Sequence, residues 1–183
     1  MAVQPFDWWD RNGSLDFGQG DVRIYKMDGQ QYLFVGQTMY ASTKERSWYV
    51  KNVMPYAQGK CLEIGLGLGV ASKAILYKPQ VSHLLTVEKN PHVIAAFGRP
   101  LHRHNILCAD AIQWVSEFPV LEPMYDFIFV DHYTFDEDDL EILPWMATAL
   151  RFLLKPKGEM VFWIDENAPE EDQKKVRDLW ILN

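Results

Sequence analysis

The sequence predicts an α/β fold in which a mostly parallel sheet carries helices on both faces. Five short apolar runs follow Lys60, and they read CLEIG, LLTVE, NILCA, YDFIFVD and EMVFWI. Helix-length segments lie between them, at about 70–77, 91–98, 111–118 and 137–154. Strands that alternate with helices in this way are typical of a parallel sheet with crossover helices.

The residues before this core predict a short N-terminal β-hairpin. Asp28-Gly29 separates the β-rich runs DVRIYKM and QYLFV, and this dipeptide favours a tight hairpin turn. A helix is expected next, in STKERSWYVKNVMPYA, because its apolar residues recur at helical spacing. We assign its apolar face to Trp48, Val50, Val53 and Met54.

The length of 183 residues fits one domain. We expect a single domain over 1–183, with 1–42 as an N-terminal extension and 43–183 as the core. Lys157-Gly158 is expected to mark the return into the fifth strand, and APEEDQKKVRDLWIL to form a last helix. Only five core strands are predicted, so we expect the C-terminal strands to be truncated. An uncovered sheet edge promotes aggregation, and we therefore expect helix cover or a homodimer there.

Composition and charge narrow the classes of function. The chain is 48% hydrophobic and 23% charged, as is ordinary for a soluble globular protein. Its apolar runs are too short to span a bilayer, and MAVQPFDWWDRNGS lacks the pattern of a secretory signal. The net charge of -7 opposes general attraction to nucleic acid or to an anionic membrane. We expect a cytoplasmic protein that acts on a small molecule.

The two cysteines, Cys61 and Cys108, each fall in a predicted strand. We expect buried free thiols, which suit a reducing cytoplasm. Neither cysteine has a neighbouring ligand at metal spacing, so no metal is predicted. His102 and His104 have a suggestive spacing, but a solvated loop before the third strand explains them more simply.

The glycine-rich stretch CLEIGLGLGV is the clearest binding motif. It lies where the first core strand turns into the first core helix, and ligands of open α/β sheets bind beyond the carboxyl ends of the strands. Glycine leaves room for a ligand against the backbone. Gly65, Leu66, Gly67 and Gly69 are therefore predicted to cradle a nucleotide.

The identity of that nucleotide follows from the neighbours of the loop. The dinucleotide fingerprint is G-x-G-x-x-G, but here Val70 stands where the third glycine belongs. Glu63, just before the loop, would repel a pyrophosphate and suit a ligand with positive charge. S-adenosylmethionine is such a ligand, a nucleoside with a sulfonium and no phosphate. The alternative is that Glu63 is a surface acid at a strand end.

Two further strand ends carry acids that match a nucleoside. Glu88, followed by Lys89, ends LLTVE about 20 residues after the loop, where an acid can bind both ribose hydroxyls. Asp110-Ala111 follows NILCA, and there a carboxylate and a backbone N–H can meet the adenine ring. Alternatively, Glu88 belongs to a turn and Asp110 caps a helix. The order of the three acids along the chain favours a nucleoside site.

These motifs resemble the class I S-adenosylmethionine-dependent methyltransferase superfamily. The resembling segments are CLEIGLGLG, TVEKNP, CADA, YDFIFVDHYTF and LLKPKGEMVF, within about 45–165. The resemblance implies a Rossmann-like fold, S-adenosylmethionine as the cofactor and methyl transfer as the reaction. It does not specify the acceptor.

Two branches of that superfamily are similar to different parts of the chain. The N-terminal hairpin and helix resemble the spermidine synthase-like branch, which transfers an aminopropyl group. However, Leu68 replaces the aspartate of its usual G-G-G-D-G loop, and its Tyr-His-Glu stretch is missing from ERSWYVKN. The segment VDHYTFDEDDLE resembles the guanidinoacetate methyltransferase-like branch, where an aromatic residue and an acidic helix start follow the fourth-strand aspartate.

The acceptor is expected at the end of the fourth strand. Asp131 borders both the cofactor and the acceptor, and it can accept a proton from an attacking nitrogen. Tyr133 is assigned to the catalytic set and, with Phe135, can wall the site, while His132 is an alternative base. We expect methyl transfer to a small amine or guanidine. The alternatives are aminopropyl transfer and a nucleoside-binding module without turnover.

Overall fold

The structure is a computed structural model that describes residues 9, 11–117, 122–133 and 137–182. The N-terminal part forms an antiparallel sheet of four strands in sequential order: β1 (Ser14–Gln19), β2 (Val22–Met27), β3 (Gln30–Val35) and β4 (Thr38–Ser42). The predicted hairpin is its central pair. Asp28 and Gly29 form the turn with φ values of 52° and 74°, as a tight hairpin requires.

Both faces of this small sheet are covered. Val22 and Leu33 pack on one face with Leu66 of the glycine loop. On the other face, Tyr25 joins a cluster of buried aromatic rings around Trp9. Because successive strand residues point to opposite faces, the same strands supply both clusters. One face packs on the glycine loop, and the other face carries the aromatic cluster.

A short 3₁₀ turn over Thr43–Glu45 leads into α1 (Arg46–Asn52), and Ser42 caps the turn by accepting from the Lys44 N–H at 3.1 Å. The predicted apolar face is confirmed at Trp48 and Val53, which are buried, but not at Val50. Val50 is 48% exposed, whereas Tyr49 is buried and its ring packs edge-on against Phe129 at 5.8 Å between ring centroids. Tyr49, and not Val50, therefore belongs to the inward face of the helix.

The core is a five-stranded, all-parallel sheet flanked by helices, which confirms the predicted fold class. Its strand order is β7-β6-β5-β8-β9. The strands are β5 (Gly59–Ile64), β6 (Val81–Glu88), β7 (His104–Cys108), β8 (Tyr125–Val130) and β9 (Leu154–Phe162). The helices are α2 (Val70–Tyr77), α3 (Pro91–Phe97), α4 (Ala111–Ser116), α5 (Glu137–Arg151) and α6 (Glu170–Arg177).

The chain order reverses between β5 and β8. From β5 it proceeds outward through β6 to β7, then returns to β8 and continues to β9 on the other side. Such a reversal opens a crevice beyond the carboxyl ends of the two central strands, where ligands bind in this class of sheet. Phe127, Ile128 and Phe129 of β8 are completely buried, as expected for a central parallel strand covered on both faces.

Two features of β9 were not predicted: a bulge within the strand and the pairing of a C-terminal residue with it. Lys157-Gly158 lies within β9 and not before it. The register of the β8–β9 pair shifts between Tyr125 and Phe127, and Lys157 has a φ of 65°, so the expected turn is a bulge. Ile181 pairs antiparallel with Met160 on the same strand. This segment covers part of the edge for which we expected helix cover or a dimer partner.

Two further expectations are corrected by the structure. Cys61 is buried, but Cys108 is exposed because it ends the edge strand β7; both are free thiols. His104 does not lie in a solvated loop. It begins β7, is buried and packs edge-on against Phe97 at 5.6 Å between ring centroids.

Among the described residues, no helix has the length and apolarity that crossing a membrane requires.

Candidate functional site

A cleft of about 1130 Å³, counting the solvent at its mouth, lies beyond the carboxyl ends of β5, β6, β7 and β8. The glycine loop forms its floor, and the N-terminal sheet supplies an apolar wall that includes Leu33 and Val35. Most of the predicted site residues meet in this cleft, namely Gly65, Leu66, Gly67, Glu88, Lys89, Asp110, Ala111, Asp131 and Tyr133.

Gly65 and Gly67 of the glycine loop lack side chains for different structural reasons. A Cβ on Gly65 would lie 2.1 Å from the backbone oxygen of Asp131, so at this position glycine allows the loop to approach the end of β8. Gly67 has a φ of 49°, and a Cβ there would meet only Ala41, at 3.2 Å. Gly67 therefore leaves space in the cleft itself, which is the cradle that a ligand needs.

Glu88 ties the end of β6 to that loop. Its Oε2 accepts from the Leu66 N–H at 3.0 Å, and its Oε1 accepts from the Asn90 N–H at 2.8 Å. These contacts confirm the turn interpretation, and the binding interpretation stays a prediction. Because the carboxylate also lines the cleft, lone pairs remain that can accept from ribose hydroxyls.

Asp110 likewise has two roles in the structure. Its Oδ1 accepts from the Gln113 N–H at 3.0 Å and caps α4. With Ala111 it also lines the part of the cleft beyond β7. The helix cap fixes the carboxylate in position, so capping and adenine recognition are compatible.

A cluster of two carboxyl groups and one hydroxyl closes the other end of the cleft. The Tyr49 hydroxyl lies 2.9 Å from Asp131 Oδ2 and 2.9 Å from Glu45 Oε2. Burial, reinforced by the charge of Glu45, raises the pKa of Asp131 well above its usual range. Burial also raises the pKa of Glu45 to about 6. Sequence analysis missed Glu45 and Tyr49, since nothing in ERSWYVKN indicates which helix face meets β8.

Tyr133 and His132, which follow Asp131, both line the cleft. The Tyr133 hydroxyl donates to the backbone oxygen of Trp163, so it is directed at the segment after β9, although the ring borders the cleft. His132 lines the cleft, and burial lowers its pKa to about 4. A neutral, weakly basic imidazole results. Phe135 lies outside the described residues.

Two predicted site residues lie away from the cleft wall. Gly69 has a φ of 65° at the start of α2, and a Cβ there would lie 2.2 Å from the Phe97 ring, so close packing explains this glycine. Glu63 is completely buried and accepts from the Ser72 and Thr86 hydroxyls, each at 2.5 Å. Burial raises the pKa of Glu63 to about 7.

The charges around the cleft favour a cationic ligand. Among the described lining residues the cation is Lys89, and the acids are Glu45, Glu88, Asp110 and Asp139. Asp131 also lines the cleft, but its raised pKa favours the neutral form of that carboxyl group. Such a wall opposes a phosphate and attracts a sulfonium or an ammonium. The bare loop, the strand-end acids and this charge together fit a nucleoside with positive charge. Among the described residues, no cluster of three metal-ligating side chains is present.

Comparison with known proteins gives the fold and not the family. No protein-family model matches the sequence, and no curated protein matches it. Solved structures do match. A spermidine synthase from Thermotoga maritima superposes with a TM-score of 0.70 and 19% identity, over 90% of this chain. A spermidine synthase in complex with the transition-state analogue AdoDATO superposes with a TM-score of 0.64 and 20% identity, also over 90%.

The chain spans 62% of the length of each of these two spermidine synthase chains. At such low identity the likeness concerns the fold alone. This chain shares the fold of those two structures over 90% of its length. The function therefore has to be argued from the cleft.

Proposed function

We propose that this protein is a transferase that binds S-adenosylmethionine and transfers its methyl group to a small amine or guanidine. The observation that carries the proposal is the hydrogen bond from the Leu66 N–H of the glycine loop to Glu88, beside the space that Gly67 leaves. The acidic wall of the cleft supports a donor with a sulfonium and a basic acceptor.

Each part of the donor has a matching group in the cleft. Gly67 leaves room for the ligand against the backbone, and Glu88 accepts hydrogen bonds from the ribose hydroxyls. Asp110 accepts from the adenine amino group while the Ala111 N–H meets the ring. When bound, the donor supplies an electrophilic carbon on its sulfonium.

The acceptor is assigned to the end of the cleft at Asp131. Displacement at a sulfonium carbon requires mainly that nucleophile, carbon and sulfur be aligned, which is positioning work. An amine must also attack without its extra proton, so a carboxyl group within reach contributes by holding the nitrogen and taking that proton. Asp131, held by Tyr49 at 2.9 Å, is suitably placed for both tasks.

Aminopropyl transfer from decarboxylated S-adenosylmethionine is the second candidate. The fold likeness to two spermidine synthases favours it. So does the acidic wall, which would repel the carboxylate of S-adenosylmethionine and not a bare amine. Leu68 argues against aminopropyl transfer. Its apolar side chain lines the cleft at the position where the glycine loop of the spermidine synthase-like branch, usually G-G-G-D-G, has an aspartate.

Calorimetric titration decides between the donors. The protein is titrated in parallel with S-adenosylmethionine, S-adenosylhomocysteine, decarboxylated S-adenosylmethionine and NAD. Micromolar binding of the first two, without binding of NAD, supports methyl transfer. A clear preference for the decarboxylated donor supports aminopropyl transfer. Binding of none of them overturns the proposal.

A turnover assay then separates an enzyme from a binding module. Label transfer from the preferred donor to pooled small amines and guanidines is measured for the protein and for Asp131→Asn, with Asp178→Asn as the control on the exposed end of α6. We expect transfer with the control and a loss of at least about 100-fold with Asp131→Asn. Donor binding without any transfer identifies a binding module.

A further inference from the structure

The Tyr49 hydroxyl lies between two carboxyl oxygens but has only one hydrogen. Glu45 Oε2 and Asp131 Oδ2 are each 2.9 Å from the Tyr49 oxygen. If both carboxyl groups were ionised, one of the two short contacts would hold no hydrogen and would be repulsive. The geometry therefore requires one further proton, carried by one carboxyl group and directed at the tyrosine oxygen.

The surroundings indicate which carboxyl group carries that proton. The pKa of Asp131 is raised the more strongly, by burial and by the facing charges of Glu45 and Glu63, against the hydrogen bond from Tyr49. Glu45 faces Asp165, which raises its pKa, and hydrogen bonds from Tyr49 and the Ser42 backbone lower it. Asp131 therefore holds its proton more firmly than Glu45, so when the pair shares one proton, Glu45 is the ionised member.

We propose that Glu45 is the final proton acceptor of a relay that runs from Asp131 through the Tyr49 hydroxyl. The relay takes the proton that the amine acceptor loses when it attacks the donor carbon. This inference rests on the proposed function, because it assumes an amine that must be deprotonated. It adds a role for Glu45, a residue that has no place in the sequence motifs.

The transfer balances without any further reactant. The ammonium N–H proton passes to Asp131 Oδ1, the proton on Asp131 Oδ2 passes to the Tyr49 oxygen, and the Tyr49 hydrogen passes to Glu45 Oε2. Tyr49 is neutral before and after the step. The cluster starts with one negative charge and ends neutral, while the freed amine forms its bond to carbon and the carbon–sulfur bond breaks, leaving a thioether.

A titration of the donor-free protein tests the shared hydrogen directly. The glutamate side-chain carboxyl groups are labelled with ¹³C and followed by NMR against pH. We expect a resonance that titrates near pH 6, is absent from Glu45→Gln, and moves to higher pH in Tyr49→Phe because a hydrogen bond from Tyr49 lowers the pKa of Glu45. Glu63 gives a second displaced resonance near pH 7, which persists in Glu45→Gln and serves as the internal reference for folding.

Kinetics with the preferred donor and acceptor test the relay. In the wild-type protein kcat is expected to fall as pH drops through about 6, because Glu45 gains its proton. In Glu45→Gln we expect kcat to fall about 100-fold or more, with little change in KM and with the limb near pH 6 lost. Glu141→Gln, on the exposed side of α5, is the control.

The outcomes separate this inference from the proposed function. A Glu45 resonance that titrates at its ordinary pH, or that ignores Tyr49→Phe, overturns the relay whether or not the protein is an enzyme. A persistent limb near pH 6 in Glu45→Gln also overturns it. Failure to bind any S-adenosyl donor overturns the proposed function, and with it the catalytic use of the relay, while the NMR titration still decides the shared hydrogen.

Discussion

Glu88 Oε2 accepts a hydrogen bond from the Leu66 backbone N–H at 3.0 Å, which joins the end of β6 to the middle of the glycine loop. The same carboxylate accepts from Asn90 at 2.8 Å, at the start of α3. A single charged side chain thus orders the loop on one side of the cleft and the turn on the other. If the proposed donor also binds to this carboxylate, donor binding and local stability are coupled through it.

Replacing Glu88 should therefore impair both properties. In Glu88→Ala two backbone N–H groups lose a charged acceptor, so we expect the free energy of unfolding to fall by about 1–3 kcal/mol. Donor binding should weaken by about 1–3 kcal/mol, since the ribose hydroxyls lose the same acceptor. Chemical denaturation and calorimetry measure the two losses. Glu171→Ala, an exposed acid at the start of α6, is the control. Unchanged donor affinity in folded Glu88→Ala would remove this residue from the site.

Two glycines of the loop should respond differently to substitution. A Cβ on Gly65 would lie 2.1 Å from a backbone oxygen, so Gly65→Ala is expected to disrupt folding, which thermal unfolding will show. In Gly67→Val the side chain enters the cleft, and we expect a folded protein that no longer binds the donor. The positive φ of 49° at Gly67 adds a strain cost of about 1–3 kcal/mol.

The contrast between these two variants is itself the test of the loop. If folded Gly67→Val bound the donor as well as the wild-type protein, the loop would be a tight turn and nothing more. If Gly65→Ala folded normally, the close approach between the loop and the end of β8 would be wrong. Circular dichroism of both variants at the same concentration provides the folding control.

The convergence of the candidate site residues on one cleft was predictable, because these residues follow the ends of parallel strands. The carboxyl ends of parallel strands share one edge of a sheet, so acids that follow different strands had to converge once the strands were recognised. Glu88, Asp110 and Asp131 could be placed in this way without any knowledge of side-chain contacts. The glycine loop could be placed beside them because it follows the first strand of the same sheet.

The direction of individual side chains was not predictable. Glu63 belongs to a strand that is covered on both faces, where apolar neighbours give no indication of which layer a side chain enters. The orientation of α1 depends on the ring contact of Tyr49 with Phe129, and such a contact between residues distant in sequence leaves no periodic signal. The strand β1 was not predicted. Its residues are almost all exposed, so its sequence lacks the alternation of apolar and polar residues that marks a half-buried strand.

The two cysteines should differ sharply in reactivity. Cys108 is exposed and Cys61 is buried, and burial raises the pKa of the Cys61 thiol to about 12. Because the thiolate is the reactive form, we expect one thiol to react promptly with a chromogenic disulfide reagent in the native protein and the second only after unfolding. Cys108→Ser should abolish the prompt reaction. Prompt reaction of both thiols would contradict the buried position of Cys61 in β5.

Glu63 should give stability a dependence on pH that a single substitution removes. Burial raises the pKa of Glu63 from 4.5 to about 7, so between these values the folded state retains a proton that the unfolded state has released. The contribution of Glu63 to stability therefore falls as the pH rises through this range. At 1.36 kcal/mol for each pKa unit, the total fall is on the order of 3 kcal/mol.

Other groups titrate in the same range, so this fall has to be measured as a difference. His104 and His132, whose pKa values burial lowers to about 4, act in the opposite direction, and Glu45 acts in the same direction as Glu63. Urea denaturation of the wild-type protein and Glu63→Gln across pH 4.5 to 7.5 cancels these shared contributions. We expect the wild-type advantage to shrink steadily with rising pH, because glutamine keeps an oxygen for the two hydroxyl donors but has no charge to bury. A constant difference would mean that Glu63 is ionised in the folded protein throughout this range.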